Sequence, residues 1–344
     1  MLVFAAAISG LAIGFSAIDV ILHLANESRN QAIEASQRAV ESQLTVANDG
    51  DDIPPSGPTT VQQELGMTAG LPYRDPINLN TNTPKNLTIN LVAKRTIFNI
   101  AGKKVWGESY DGQYIGPTMH FLPGENVTLH FVNDLATATN LHFHGMHLSP
   151  SGSSDNPFIN VLPGHSFNYD LAIPADQPQG TFWYHDHEMC MGTEAMAMPG
   201  MAATNTKIAG CDDLESQIFA GLSGTIIVGD DRALLPTDLR NIPVHTLVFK
   251  DLQIDTSDHI LQNSNTVAIN SNDQTVRLVN GELRPVMTMQ PGPTELWRLA
   301  NEGADIFYNL QLPGYTFTVI GQDGYPSAHV YNRKYFTFAS SKAI

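Results

Sequence analysis

Leu122-Pro123-Gly124-Glu125-Asn126-Val127-Thr128-Leu129-His130-Phe131 decides the fold class of this chain. A Pro-Gly turn opens the stretch, and Val127, Leu129 and Phe131 then alternate with polar residues, the period of a strand with one buried face. Upstream, Leu87, Ile89 and Leu91 alternate with Thr88, Asn90 and Val92, and turn residues follow at Gly102 and Asp111-Gly112. Downstream, Phe167, Tyr169 and Leu171 follow Pro163-Gly164, and Thr225-Ile226-Ile227-Val228 runs into Gly229-Asp230-Asp231. Short strands at this spacing predict an all-β sandwich or barrel. A second unit starts near Pro243, with Thr246-Leu247-Val248-Phe249, Thr275-Val276-Arg277-Leu278-Val279 and Glu295-Leu296-Trp297-Arg298-Leu299. There Gln290-Pro291-Gly292-Pro293 repeats the Pro-Gly device, which points to an internal repeat of one β-sandwich.

Composition agrees with this reading. The 344 residues leave room for two domains, and 42% hydrophobic against 15% charged, with 27 Gly and 21 Pro, suits many turns and strands rather than a helical bundle. A net charge of −16 argues against a nucleic-acid surface, which needs clustered Lys and Arg, and its plain use is solubility. The chain has no phosphate-binding glycine loop, no serine elbow and no zinc-protease helix signature.

Residues 2–25 form an apolar stretch interrupted only by Asp19 and His23, which as a helix nearly spans a bilayer. It lacks Lys or Arg ahead of the apolar run, and Asp19 is costly in hydrocarbon, so signal peptide and membrane anchor both remain open. Either use means export: extracellular, periplasmic or membrane-anchored. Residues 27–44 read as a polar helix in which Glu34 and Arg38 pair across one turn. Asn48-Asp49-Gly50-Asp51-Asp52 and Pro54-Pro55-Ser56-Gly57-Pro58 form a linker, and order is expected to begin near residue 85. The expected organisation is therefore a signal or anchor over 1–25, helix and linker over 26–84, one sandwich over 85–232 and a second over 240–344. Sequons at Asn26, Asn86 and Asn126 are compatible with a secretory route.

Four of the twelve histidines sit in two His-x-His pairs, Asn140-Leu141-His142-Phe143-His144-Gly145 and Gly180-Thr181-Phe182-Trp183-Tyr184-His185-Asp186-His187. Residues i and i+2 of a strand share a face, so each pair aims two imidazoles at one point. A single pair is weak evidence for a metal. Two pairs in strands of one sandwich, one followed by a glycine that permits close approach and one led by an aromatic run, are strong evidence. The expected site is a pocket inside the N-terminal sandwich. Imidazole suits copper and zinc alike, and ligand type alone leaves these two metals as rivals.

Asp111-Gly112-Gln113-Tyr114-Ile115-Gly116-Pro117-Thr118, Leu122-Pro123-Gly124-Glu125, the two histidine pairs and Gly221-Leu222-Ser223-Gly224-Thr225-Ile226-Ile227-Val228 resemble, in order, the first cupredoxin domain of multicopper oxidases. Val279-Asn280-Gly281-Glu282, Trp297-Arg298-Leu299 and Val319-Ile320-Gly321-Gln322-Asp323-Gly324 are similar to the second. The resemblance spans about residues 85–344. It implies Greek-key cupredoxin sandwiches, copper as cofactor, molecular oxygen as acceptor, and a phenolic, bilirubin-like or metal-ion electron donor. It implies His142 as ligand of a mononuclear type 2 copper, and His144, His185 and His187 as ligands of the coupled type 3 pair. Asp155, in Ser153-Ser154-Asp155-Asn156, falls where the family places an acidic residue that orients water and passes protons, the alternative being a turn aspartate. His147 is expected to face away from the site, His165 to be exposed, and His120 and His130 to be structural.

Part of the family's equipment is absent from these residues. The resemblance implies eight cluster histidines, half of them from a third cupredoxin domain that also holds a type 1 copper in a His-Cys-His motif. This sequence has no such motif, and His245, His259 and His329 are single. The expectation is a chain with half a cluster and an incomplete second sandwich, inactive alone for lack of an electron inlet. The alternatives are a copper-binding secreted module or a fragment without turnover. A stretch after His187 holds Met189, Met191, Met196, Met198 and Met201, soft sulfurs that either capture Cu(I) or pack flexibly. Cys190 and Cys211 bracket it, as a disulfide or with a thiolate ligand.

Overall fold

The structure, a computed structural model, describes residues 65–80, 86–187, 216–262, 275–290, 292, 294–304, 306–338 and 342–343. The apolar stretch 2–25, the polar helix, the Asn48–Pro58 linker, the methionine-rich stretch and both cysteines lie outside the described residues. No helix among the described residues is long and apolar enough to cross a membrane.

The N-terminal half is a two-sheet β-sandwich. One sheet has the order β2-β1-β4-β6, from β1 (Asn86–Ile100), β2 (Lys103–Tyr110), β4 (Asn126–Asp134) and β6 (Ser166–Ala172). The other has the order β3-β8-β7-β5, from β3 (Gly116–Phe121), β5 (His142–His144), β7 (Gly180–His185) and β8 (Ser223–Val228). β1 runs parallel to β4 and β3 parallel to β8, so chain neighbours are separated in space and the connections cross between sheets, as in a Greek key. The alternation read from the sequence is the packing pattern: Leu87, Ile89, Leu91, Val127, Leu129, Phe131, Tyr169 and Leu171 from one sheet meet Met119, Phe121, Phe143, Phe182, Tyr184, Ile226 and Val228 from the other in one core. A short helix, α1 (Ser216–Ala220), precedes β8.

The second half builds a sheet of order β10-β9-β11-β16, from β9 (Val244–Leu252), β10 (Val276–Val279), β11 (Leu296–Asn301) and β16 (Lys342–Ala343). Two-stranded pairs accompany it: β12 (Tyr308–Gln311) with β15 (Tyr335–Phe338), and β13 (Phe317–Gln322) with β14 (Tyr325–Arg333). The far ends of β1 and β2 extend beyond the first sandwich, where Phe98, Ile100, Val105 and Tyr114 pack with Leu252, Ile260, Val276 and Leu278 in a second core. The two halves thus share apolar surface, which fixes their mutual position.

Residues 65–80, placed in the linker on sequence, form an extended strap whose backbone groups find partners in both halves. Thr68 N–H donates to the Ala101 carbonyl, Gly70 N–H to Leu283 at 3.0 Å, and Tyr73 N–H to Val286 at 2.9 Å; Leu79 N–H then donates to the Thr118 carbonyl and Thr118 N–H to the Ile77 carbonyl at the edge of β3. Such pairing satisfies backbone groups without any side-chain alternation.

Candidate metal centre

β5 and β7 pair antiparallel with His142 opposite His185, Phe143 opposite Tyr184 and His144 opposite Trp183. Because alternate residues share a face, Phe143 and Tyr184 enter the sandwich core while His142, His144, Trp183 and His185 point the other way. The histidines therefore converge on the outer face of this sheet. The interior pocket expected from sequence is filled by Phe143, Phe182 and Tyr184, and the outer face looks toward the second half, whose β11, β14 and β16 pack on β7.

Ring nitrogens of His142, His144 and His185 lie within 4.8 Å of one another. His187, just beyond the end of β7, brings its ring to 5.1 Å from that of His142, centroid to centroid. His144 Nδ1 and His185 Nε2 face each other at 3.4 Å.

Two of the rings are held from behind. His142 Nδ1–H donates to Asp155 Oδ1 at 2.9 Å, and the same oxygen accepts the Phe143 amide at 3.0 Å. Asp155 is buried and sits directly behind the first ligand candidate. His185 Nδ1–H donates to the Asp186 carbonyl at 2.6 Å, which leaves Nε2 toward the pocket. Burial, followed by the positive potential of His142, holds the His185 imidazole well below its ordinary pKa, so it stays neutral and ligand-competent. His187 N–H donates to Asn140 Oδ1 at 2.8 Å, and its Nδ1 is buried without a hydrogen-bond partner. Gly145, at φ +83°, turns the chain directly after His144 and passes so close to Phe182 that a Cβ would sit 3.1 Å from its ring.

Three contributors went unnoticed in the sequence. Asp186, between the paired histidines, is buried and accepts Thr139 Oγ1–H at 3.0 Å and Asn140 N–H at 3.2 Å, tying the loop before β5 to the end of β7. Asn140 in turn donates to the Ile159 carbonyl at 3.0 Å. Trp183 stacks on His185 at 4.0 Å with 25° between planes and covers His144 at 5.2 Å. The aromatic run before His185 was the available signal for Trp183; strand alternation puts it on the histidine face.

The remaining histidines among the described residues are accounted for elsewhere, and His23 lies outside them. His130 pairs with Asn168 at 2.7 Å, His120 with Asn78 at 2.8 Å, and His165 with the Pro163 carbonyl at 3.0 Å. His147 reaches the second half through Tyr325 Oη at 2.5 Å. His245 lies against Asp75 and His259 against Asp255, and His329 is exposed on β14.

Converging imidazoles, one with an orphaned buried nitrogen and one backed by the Asp155 carboxylate, form a donor set that suits a borderline divalent cation. Fold and site together define an all-β protein whose N-terminal sandwich carries a histidine cluster able to hold a metal ion. Two family profiles, both described as multicopper oxidase, match residues 92–207 and 237–334. Multicopper oxidase MmcO of Mycobacterium tuberculosis is 24% identical over 273 residues, covering 78% of this chain and 52% of the relative. Copper resistance protein A of Pseudomonas syringae pv. tomato is 25% identical over 250 residues, covering 66% of this chain and 40% of the relative. Among solved structures, a multicopper oxidase from Campylobacter jejuni superposes with TM-score 0.62 at 21% identity, over 80% of this chain and 53% of that one. McoA multicopper oxidase from the hyperthermophile Aquifex aeolicus gives 0.60 at 21% identity, over 80% and 56%. The chain belongs to the multicopper oxidase family, with copper as the cofactor that membership implies. It spans about half the length of these relatives.

Proposed function

We propose that this chain forms the histidine half of a copper centre in an exported oxidoreductase that couples one-electron oxidation of a donor to reduction of molecular oxygen to water. In this reading His142 serves a mononuclear type 2 copper, and His144, His185 and His187 serve a type 3 pair. The observation that carries it is the convergence of His142, His144 and His185 nitrogens within 4.8 Å, with the His187 ring beside them. Bound copper would supply the one-electron steps that imidazole, carboxylate and zinc cannot.

The protein's own contributions follow from the geometry. Asp155 Oδ1 takes the hydrogen bond from His142 Nδ1–H, which orients the ring and keeps a proton at a defined atom beside the centre. Trp183 covers His185 and His144 and excludes water from that side. Asn140 and Asp186 lock the two histidine segments together, so that loss of either would let the pairs drift apart. The four imidazoles are half of the set that the family resemblance assigns to the cluster, and turnover requires further ligands and a donor site besides these.

The close trio also favours a second reading, a module that holds one copper without turnover. Metal analysis of the purified chain, with oxygen uptake measured before and after adding a third cupredoxin domain in trans, separates the two. The oxidoreductase reading expects one or two coppers and oxygen consumption only in the presence of the added domain. Copper without uptake under both conditions supports the module. A chain that takes up no copper contradicts both.

A further inference from the structure

On the outer face of the β3-β8-β7-β5 sheet, strand register lines up His142, His185 and Ser223 in one row, and His144, Trp183 and Thr225 in the next. Neighbours within a row stand about 5 Å apart. Both hydroxyls end on one residue of the second half. Thr225 Oγ1–H donates to Glu302 Oε1, and Ser223 Oγ–H donates to the Glu302 carbonyl at 3.1 Å.

Glu302 follows β11, is fully buried, and its N–H donates to the Phe249 carbonyl at 3.0 Å. Its second carboxylate oxygen has no hydrogen-bond partner. The counter-charge acting on it is Lys250 of β9, also buried, whose Nζ donates to the Tyr114 and Gly221 carbonyls at 3.0 and 2.8 Å and lies 4.6 Å over the Tyr114 ring. The two side chains make no contact ion pair. Burial pushes the Glu302 carboxyl above the usual carboxylate range and the Lys250 ammonium below the usual lysine range, each partly offset by the other's charge. Asp251, Tyr114 and Tyr184 are the other titratable groups that face the pair.

A structural ion pair would bring nitrogen and oxygen together. Here they are held apart, and Glu302 carries an unpartnered Oε2 on one side and the Thr225 hydroxyl, in the row of Trp183 and His144, on the other. We propose that Glu302, supported by Lys250, stores a proton for the histidine centre, and that the Thr225 hydroxyl connects its carboxyl to the row holding Trp183 and His144, while Ser223 anchors the Glu302 backbone. This rests on the oxidoreductase reading. Oxygen takes one proton for each electron it accepts on the way to water; the electron comes from the donor. The Glu302 O–H bond breaks as an O–H bond forms on the reduced acceptor, and Lys250 stabilises the carboxylate until solvent returns the proton.

Infrared difference spectroscopy on the full chain, with and without added cupric ion, tests this. The expected result is a protonated-carboxyl band at pH values where an ordinary glutamate is ionised. Against a Glu108→Gln background, which removes the other strongly raised glutamate, the band should be lost in Glu302→Gln, and its midpoint should rise by about one pH unit in Lys250→Met, where the attracting charge is gone. Should Glu302→Gln not fold, Thr225→Val serves instead: loss of the hydroxyl donor should raise the midpoint and the band frequency. Bound copper should lower the midpoint. No such band, or copper bound with an unmoved midpoint, overturns the proposal while leaving the oxidoreductase reading intact. A normal band in a chain that binds no copper overturns the reading, and the link to the centre with it.

Discussion

Asp155 Oδ1 accepts two hydrogen bonds, one from His142 Nδ1–H at 2.9 Å and one from the Phe143 amide at 3.0 Å, so a single carboxylate fixes both the ring and the strand that carries it. Replacing Asp155 with Asn keeps one acceptor for the amide but removes the charge behind the imidazole. Loss of such a group behind a metal ligand weakens metal affinity by about 10- to 100-fold. Competition with a chelator of known affinity should show a drop in that range for Asp155→Asn, and an unchanged affinity would remove Asp155 from the site.

Trp183 is one of three tryptophans, and its 4.0 Å stack on His185 makes it the fluorophore that reports on the centre. Trp106 is partly exposed on β2 and Trp297 belongs to the second half. Cupric ion should quench a distinct fraction of the emission, and Trp183→Phe should abolish most of that quenching while the chain still binds metal. Equal quenching in the variant would place the copper elsewhere.

Much of the centre was legible before any coordinates. His-x-His on a strand dictates a shared face, so His142 with His144 and His185 with His187 announce themselves, and the alternation of Val127, Leu129 and Phe131 gives the sandwich. What the sequence withheld depends on tertiary pairing. The same alternation that pairs the histidines also puts Phe143 and Tyr184 on the opposite face, and only the observed core shows that the aromatic side is the inner one. Asp186 and Asn140 act through bonds to each other's segments, 46 and 47 residues apart, and no local pattern reports that. The strap at residues 65–80 is held by backbone partners as distant as Leu283 and Val286, and its Pro and Gly content reads as linker.

Glu108 on β2 carries a pH signature of its own. Burial pushes its carboxyl up from 4.5 to about 7, against the opposing pull of Gln262 and Arg95. Below the unfolded value both states are protonated and nothing is lost. As pH rises through this window the unfolded chain releases the proton first, so stability falls by roughly 3 kcal/mol and then levels off. Glu108→Gln cannot ionise, and its denaturation midpoints should be flatter across the window and exceed wild type above it. Parallel curves for the two proteins would contradict this.

Gly224 faces Tyr184 across β8 and β7, and a Cβ there would meet the phenol oxygen and ring at 2.5–2.6 Å. Tyr184 cannot retreat, because it is fully buried and its Oη–H donates to the Pro117 carbonyl at 2.8 Å. Gly224→Ala should therefore cost about 1–3 kcal/mol through overpacking, seen as a lowered Tm. An unchanged Tm would mean that the sheet absorbs the methyl group.

The most direct measurement is anomalous diffraction at the copper edge from crystals of the copper-loaded chain. The account expects its strongest anomalous density on the outer face of the β3-β8-β7-β5 sheet, among His142, His144, His185 and His187. Ordered copper at His245, His259 or the methionine-rich stretch, with none among those four rings, would contradict it.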